Sequence, residues 1–471
     1  MNVLKIQNDY SWLITDDEIL KTTLWKALRK REKGYFHSPL FKKGVWDGYS
    51  EFFKLKTGRF LTGLLPEIMA ALKKRESEVH IDDQRGRVNF VADSIDENFI
   101  KDSNGHVLRD YQVDLINRTI KYKRGIVFAP TSAGKTDIMI GILKAIQPGT
   151  PILFLANRKG LVDQNYREIK ACGFDRVGRL YANFAEPDLI TCATVQSLHK
   201  IEKQLPKFEV LVVDEIHDMM SKVPKKFYNK MKSASVRVAV SATPFKFGGK
   251  DKCQMYNVKG HFGPVFKTEA GNEKGVLTTK TLQDRDILSA SDCTFFHINE
   301  PKIPYELYLD AVTKGIAENV VFHKMVKKLT SSLKGRTLIL VDRIAHGDAL
   351  KHLIPKAIWI SGKDTLETRQ HVVDQLKNCK GKVVGIATQQ IFNTGINVLI
   401  HNLINAAGGQ AEHQIIQRMG RGLRTADDKE DLKYYDFIFN INDYLLKHSN
   451  KRIKILKDEG HNIEIKEEFK L

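Results

Sequence analysis

The sequence predicts an α/β protein: two parallel-sheet domains preceded by a small α+β domain. Three observations predict it. Short apolar runs recur after residue 105, each ending in a polar or small-residue segment, and several lead into stretches apolar at helical spacing. Strands covered by helices on both faces read as such continuous runs rather than as alternation. The chain has 471 residues, too many for one core, which implies two to four domains. Residues 1–95 lack the recurring pattern and carry short strand-like runs with two helix-period segments.

Composition bounds the function. Hydrophobic content of 42% and charged content of 28% are those of a globular protein. The formal net charge of +19, from 75 Lys and Arg against 56 Asp and Glu, favours a polyanionic partner, most simply nucleic acid. The five cysteines are scattered with no C-x-x-C pair, which argues against a zinc or disulfide framework and fits a reducing compartment. No run of about 18 apolar residues suggests a membrane span, and the charged N-terminus does not read as a signal peptide.

In the first segment, Val3–Ile6 and Ser11–Ile14 are strand candidates. Asp16–Lys33 reads as a helix with Leu20, Leu24 and Leu28 on one face, and Gly63–Lys74 as a second. Between Lys21 and Arg59, eleven Lys or Arg stand against Glu32, Asp47 and Glu51. Aromatics lie among them, with Trp46 beside a turn. Basic groups for phosphates and rings for bases form a nucleic-acid pattern, with Lys42, Lys43 and Trp46 as candidate contacts. The competing reading makes most of these rings core residues of a small domain. Ala92–His106 is the expected linker.

Leu108-Arg109-Asp110-Tyr111-Gln112 follows. A planar amide can bond an adenine edge, so Arg109 and Gln112 are candidate nucleotide contacts. The buried run Gly125–Phe128 then leads into Ala129-Pro130-Thr131-Ser132-Ala133-Gly134-Lys135-Thr136 and a helix-period stretch. Strand, small-residue loop and Gly-Lys-Thr at a helix start form a phosphate-binding layout, although Ala129 occupies the usual first glycine. Loop N–H groups and the helix N-terminus surround phosphates. Lys135 reaches the β- and γ-phosphates of ATP, and the Thr136 hydroxyl binds Mg2+.

Pro151–Ala156 is a second strand, with Arg158, Lys159 and Gln164 beyond its carboxyl end, the edge where open α/β sheets bind ligands. Ile190–Ala193 ends similarly at Thr194 and Gln196. Val210–Val213 ends in Asp214-Glu215-Ile216-His217. Two carboxylates there suit a magnesium ion held by Asp214 and a water polarised by Glu215. Val236–Val240 is followed by Ser241-Ala242-Thr243, small hydroxyl residues suited to linking the nucleotide site to a nucleic-acid track. Residues 245–290 suggest turns, a hairpin or a connector without specific chemistry. Further on, Thr294–Ile298, Thr337–Val341, Ala357–Ile360, Val383–Ala387 and Leu399–Asn405 are strand candidates, with one long or two short helices over Tyr305–Leu333. Arg343, Thr388 and Gly395 lie at or beyond strand ends. Gln417-Arg418-Met419-Gly420-Arg421-Gly422-Leu423-Arg424 sets Arg421 and Arg424 three apart, on one face of a helix, where two arginines stabilise charge on a γ-phosphate.

This ordered set resembles a superfamily-two helicase of the D-E-x-H type, over roughly residues 105–445. The resemblance implies two RecA-like motor domains at 105–280 and 285–445, after a DNA-binding domain at 1–95 and before a helical tail at 446–471. It implies ATP between the motor domains, with Gln417, Arg421 and Arg424 completing the catalytic set. Asn397 stands where many members have Asp. Gly34-Tyr35-Phe36, Phe41, Gly44, Trp46-Asp47-Gly48 and Leu61–Leu65 are similar to the leading domain of phage UvsW-type helicases. That likeness implies an ATP-dependent helicase working on forks and Holliday junctions, monomeric on DNA, in the cytoplasm of a host infected by a T-five-type phage. An RNA helicase and the motor subunit of a restriction system remain alternatives. A basic nucleic-acid clamp without ATPase activity is disfavoured by the intact Lys135, Asp214, Glu215, Arg421 and Arg424.

Overall fold

The computed structural model describes residues 2–100, 107–245, 249–268, 276–302, 304, 307–365, 374–375, 381–392, 400–410, 415–416, 419 and 431–467. The chain forms two compact units, residues 1–129 with 134–277 and residues 130–133 with 278–471. The expected architecture holds: two RecA-like sheets, preceded by a smaller α+β domain.

The smaller domain is a sheet with helices on one side. Strands β1 (Val3–Ile6) and β2 (Tyr10–Ile14) pair antiparallel, with Leu4, Ile6, Ser11 and Leu13 turned inward by the two-residue period. Helix α1 (Glu18–Ala27) starts where the Asp17 carboxylate accepts from the Leu20 N–H at 2.8 Å. It stops six residues before the expected Lys33. Arg29–Arg31 is instead strand β3, which pairs with β4 (Tyr49–Glu51). No apolar residue in 29–33 offers a helix anything further to bury, whereas extended backbone lays the Arg29 guanidinium over the Trp25 and Tyr49 rings at 4.6 and 4.2 Å. A short helix α2 (Pro39–Lys42), strand β5 (Arg59–Leu61), helix α3 (Leu65–Lys74) and strand β6 (His80–Asp83) complete a sheet ordered β5-β2-β1-β6.

The first motor sheet has eight strands among the described residues. Along the chain it runs α4 (Asp110–Tyr122), β7 (Arg124–Phe128), α5 (Lys135–Ala145), β8 (Ile152–Ala156), α6 (Lys159–Ala171), β9 (Val177–Tyr181), β10 (Phe184–Glu186), β11 (Ile190–Thr194), β12 (Val210–Asp214), α7 (Lys222–Tyr228), β13 (Val236–Ser241), α8 (Lys252–Phe262) and β14 (Val265–Phe266). The order is β10-β9-β11-β8-β12-β13-β7-β14, parallel except for the β9–β10 hairpin. Residues 245–290, expected to be turns or a connector, hold α8 and an edge strand.

Residues 1–95 do not stand apart from this sheet. Cys253 of α8 lies within the small domain's core, and the Phe52 and Tyr256 rings meet at 5.5 Å. Gly63 abuts α8 so closely that an added Cβ would lie 2.1 Å from the Lys259 carbonyl oxygen. The buried Arg124 guanidinium donates to the carbonyls of Asn8 and His261, and Lys232 pairs with Asp9 at 2.7 Å. The described part of the expected linker is also anchored. Asn117 of α4 exchanges two hydrogen bonds with the Ile95 backbone, at 2.7 and 2.9 Å.

The second unit carries α9 (Thr279–Gln283), β15 (Ala290–Ile298), α10 (Tyr308–Val312), α11 (Val320–Ser332), β16 (Arg336–Val341), α12 (Ile344–Leu353), β17 (Ile358–Ile360), β18 (Val383–Thr388), β19 (Asn402–Asn405), β20 (Asp431–Phe439) and β21 (Asn462–Lys466). Among the described residues its seven strands run β17-β18-β16-β19-β20-β15-β21, all parallel. The segment expected as a helical tail is the rest of a helix, Asp443–Asp458, followed by β21, which extends the sheet beside β15. Within it, Arg452 and Asp436 form a fully buried ion pair at 2.9 Å. Asn405 and Tyr434 also donate to Asp436, so the charges are satisfied and tie the helix to β19 and β20. No described helix is long and apolar enough to cross a membrane.

Candidate nucleotide and nucleic-acid site

The site is built at the carboxyl ends of β7, β12 and β13. After the buried β7, the backbone turns through Pro130–Gly134, with Ser132 at φ +65° and Gly134 at φ +76°. Left-handed residues of this kind aim N–H groups into a concave anion site, and α5 adds its positive end at Lys135. Gly134 is required for space as well as for its dihedral. A Cβ there would lie 2.2 Å from Gln112 Nε2 and 2.7 Å from Asp137 Oδ2.

Gln112, on the first turn of α4, is buried against this loop. Its Oε1 accepts from the Arg109 N–H at 2.8 Å, and its Nε2 donates to the Gly134 carbonyl at 3.4 Å and to Asp137 at 3.3 Å. The side chain expected to meet an adenine edge is thus bonded to the phosphate loop itself. Arg109 is exposed nearby.

Asp214 ends β12, where every residue is buried. Glu215 follows in the left-handed region at φ +53°, a conformation costing about 1 kcal/mol or more without glycine. Its N–H donates to the Val240 carbonyl at 2.9 Å, which fixes the turn. The turned Glu215 side chain meets three partners. Its Oε1 is 2.5 Å from Lys135 Nζ, its Oε2 accepts from Ser241 Oγ at 2.9 Å, and His217 Nδ1 is 3.3 Å from Oε2. Ser241 Oγ in turn accepts from the Thr243 N–H at 3.1 Å. Three sequence motifs therefore converge on one carboxylate. Thr136, directly after Lys135, is half-buried.

Electrostatics separate the two acids. Burial and then the Glu215 charge push the Asp214 carboxyl up to about 6. Burial acts on Glu215 in the same direction. The Lys135 charge and hydrogen bonds from His217 and Lys135 outweigh it and hold Glu215 well below the usual carboxylate range. Glu215, held by Lys135, is thus the more acidic of the two, and Asp214 takes up a proton first as pH falls.

The donor set fits magnesium as substrate-bound metal. Among the described residues no group of three or more His, Cys, Asp or Glu could form a protein cage. One carboxylate, Asp214, and one hydroxyl, Thr136, suit an ion that keeps waters and phosphate oxygens as its other ligands. Thr131 Oγ1, Asn157 Oδ1 and Thr243 Oγ1 are buried with no hydrogen-bond partner among the described residues, so each retains capacity for one.

The candidate nucleic-acid residues divide by exposure. Lys159, Gln164 and Gln196 are exposed beyond β8 and β11, and Arg158 is half-buried. Gln164 is bonded to Glu168 at 2.8 Å. Thr194 and Thr388 are buried, and Thr194 shares a hydrogen bond with Ser197 at 3.1 Å. In the second unit, Arg343 donates to Thr313 Oγ1 at 2.5 Å. Lys42 and Lys43 are exposed on and just after α2. Trp46 is half-buried, its indole N–H donating to the Tyr49 carbonyl at 2.8 Å. Gly395, Asn397, Gln417, Arg421 and Arg424 lie outside the described residues.

Two features have no clear sign in the sequence. The His217 ring lies against Glu215 and Ser241, at 3.2 Å from Ser241 Oγ. Asn157 donates to Asp218 at 2.8 Å, tying the end of β8 to the acidic turn. Its place at a strand end was the available signal.

Residues 105–246 match the family described as "Type III restriction enzyme, res subunit". The DNA 3'-5' translocase XPB2 of Sulfurisphaera tokodaii is 23% identical over 392 residues, covering 75% of this chain and 84% of that protein. A fragment of a putative HsdR subunit of a type I restriction enzyme from Vibrio vulnificus has a TM-score of 0.56 at 17% identity, covering 76% of this chain and 68% of that one. The helicase UvsW of bacteriophage T4 covers 99% of both chains at 20% identity, with a TM-score of 0.48.

Proposed function

We propose, for a chain that is a superfamily-two, helicase-type ATPase motor acting on nucleic acid, that its track is DNA and that ATP hydrolysis drives translocation along it. The observation that carries the ATPase half is the Lys135–Glu215–Ser241 constellation at the phosphate loop. Lys135 holds the β- and γ-phosphates, and Glu215 accepts a proton from the attacking water. Ser241 and His217 keep the Glu215 carboxylate in place while Lys135 transfers to phosphate. Asp214 and Thr136 would hold the magnesium, which would neutralise phosphate charge. Arg421 and Arg424 are assigned to the γ-phosphate from the sequence alone. Closure on ATP and opening after hydrolysis, against contacts such as Arg158, Lys159, Gln196 and Arg343, would step the motor along a backbone.

A DNA track draws on what some relatives are named for, a DNA translocase and restriction-enzyme subunits, while RNA-bound structures of the same fold keep an RNA track as the competing reading. These names support a duplex translocase, and with it the restriction-type motor, at least as well as a strand-separating helicase. A narrower reading, action on forks and four-way junctions, draws on the leading domain. That domain shares a core with the motor and exposes Lys42 and Lys43, so force developed in the motor would reach DNA gripped beside it. Monomeric action in the cytoplasm of a phage-infected host belongs to this narrower reading.

The test is Lys42→Glu with Lys43→Glu in the full chain. Removal of residues 1–95 would strip α8 of its cover, so charge reversal is the cleaner perturbation. Affinity for forked DNA should fall at low salt, and the slope of log affinity against log salt should flatten by about 1 to 2. An unchanged slope and unchanged fork unwinding would remove the leading domain from the DNA path.

A further inference from the structure

The leading domain contains a cavity of about 570 Å³ that none of the motor motifs accounts for. It is lined by Trp12, Trp25, Leu55 and Thr57, with Glu51, Lys54, Lys56 and Arg59. The strand register puts Trp12 there. Ser11 and Leu13 face the core, and Trp12 faces away from it, directly opposite Lys5 on β1 and Arg59 on β5. A cation therefore flanks the indole on each neighbouring strand. The turn that closes on the Lys54 carbonyl, with Gly58 N–H donating at 2.8 Å, carries Lys54 and Lys56. Trp25 is fixed by donating its indole N–H to Glu51 at 2.9 Å, and Lys54 pairs with the other oxygen of that carboxylate at 3.1 Å. Glu51 is thereby neutralised. Lys56 has no ion-pair partner among the described residues, and Arg59 has only the Tyr10 ring, at 4.8 Å.

We propose that this cavity captures one unpaired nucleotide of a single DNA strand, its base against the indoles and its phosphates on Lys56 and Arg59. The inference rests on the DNA-motor reading. The Trp12 indole, with Trp25 beside it carrying the Arg29 guanidinium on one ring face, suits a flat, sequence-independent π surface, and the surplus cations suit phosphate. A base inside a duplex has both faces covered by its neighbours, so a site that holds a base by stacking selects unpaired bases. The volume falls within the roughly 300–1,000 Å³ of ordinary ligand pockets.

The experiment compares full-length wild type, Trp12→Ala, Trp12→Phe and Lys56→Ala. The probes are a labelled oligothymidylate, the same strand with central abasic positions, and a blunt duplex. Wild type should prefer the thymidylate to the abasic strand. Trp12→Ala should lose about tenfold in thymidylate affinity and erase that preference, and Trp12→Phe should restore most of it. Lys56→Ala should flatten the single-strand salt slope by about 0.7. If circular dichroism shows Trp12→Ala unfolded, Lys56→Ala and Arg59→Ala carry the test on the rim. Equal wild-type affinity for the two strands, or a preference that survives in Trp12→Ala, overturns the pocket. Failure of wild type to bind any of the three DNAs overturns instead the DNA-track reading beneath it.

Discussion

Glu215→Gln separates the two duties that Lys135 has to perform. In the structure the Lys135 ammonium is 2.5 Å from Glu215, and their side chains are only 14% and 12% exposed. A triphosphate needs the same ammonium, so phosphate and carboxylate compete for it. A hydrogen bond to a charged group contributes roughly 1.5–3 kcal/mol at such a site. The amide keeps the shape of the carboxylate and can still accept from Ser241, but it loses the charge that holds Lys135. Relieving that competition should tighten ATP binding by about tenfold or more, at 1.4 kcal/mol per decade. Hydrolysis should fall by about 10²–10⁴, since a neutral amide cannot take a proton from water. The assay is equilibrium binding of ATP with magnesium, beside single-turnover hydrolysis of the same preparations. Weakened ATP binding, or turnover near wild type, would refute the competition and the assignment of Glu215 as base.

Other perturbations probe the same framework. Lys135→Ala should abolish turnover, measured by phosphate release, while DNA affinity changes little. Ser241→Ala removes the 2.9 Å bond to Glu215 and should lower kcat about tenfold or more with a smaller change in KM. Gly63→Ala forces a methyl group to within 2.1 Å of the Lys259 carbonyl and should cost about 3 kcal/mol in chemical denaturation of the first unit. The second unit should be acid-labile. His346 is buried, and burial lowers its pKa from 6.5 to about 3, so the unfolded chain binds the extra proton first. Stability is therefore fully present above about pH 6.5 and is lost as pH falls toward 3, by about 2 kcal/mol at pH 5 from this residue alone. Denaturant melts at pH 7 and 5, with His346→Gln as control, check it.

Legibility in the sequence followed burial and local periodicity. The central strands β7, β8, β11, β12 and β13 are buried along nearly their whole length and read as apolar runs. The edge strands did not. β10 is Phe184-Ala185-Glu186, exposed in part, and β21 is Asn462–Lys466, mostly exposed, so neither had a hydrophobic run to announce it. β20 mixes Asp431, Lys433 and Asp436 with its apolar residues, and its buried Asp436 is acceptable only because Arg452 reaches it from a helix sixteen residues on. The docking of residues 1–95 on α8 depends on Gly63 and Cys253, residues whose meaning lies in a distant partner. In the candidate site, Lys135, Asp214 and Glu215 were legible through their spacing. The inward turn of Gln112 onto Gly134 was not, because either direction satisfies the same helix start.

Steady-state ATP turnover measured with no nucleic acid, blunt duplex DNA, forked DNA, a four-way junction, single-stranded DNA and duplex RNA tests the central claim most directly. A DNA-driven motor predicts low turnover alone, about tenfold or greater stimulation by duplex DNA, at least as much by forked and four-way DNA, and little by RNA. Equal turnover under all conditions, or stimulation by RNA alone, would contradict it.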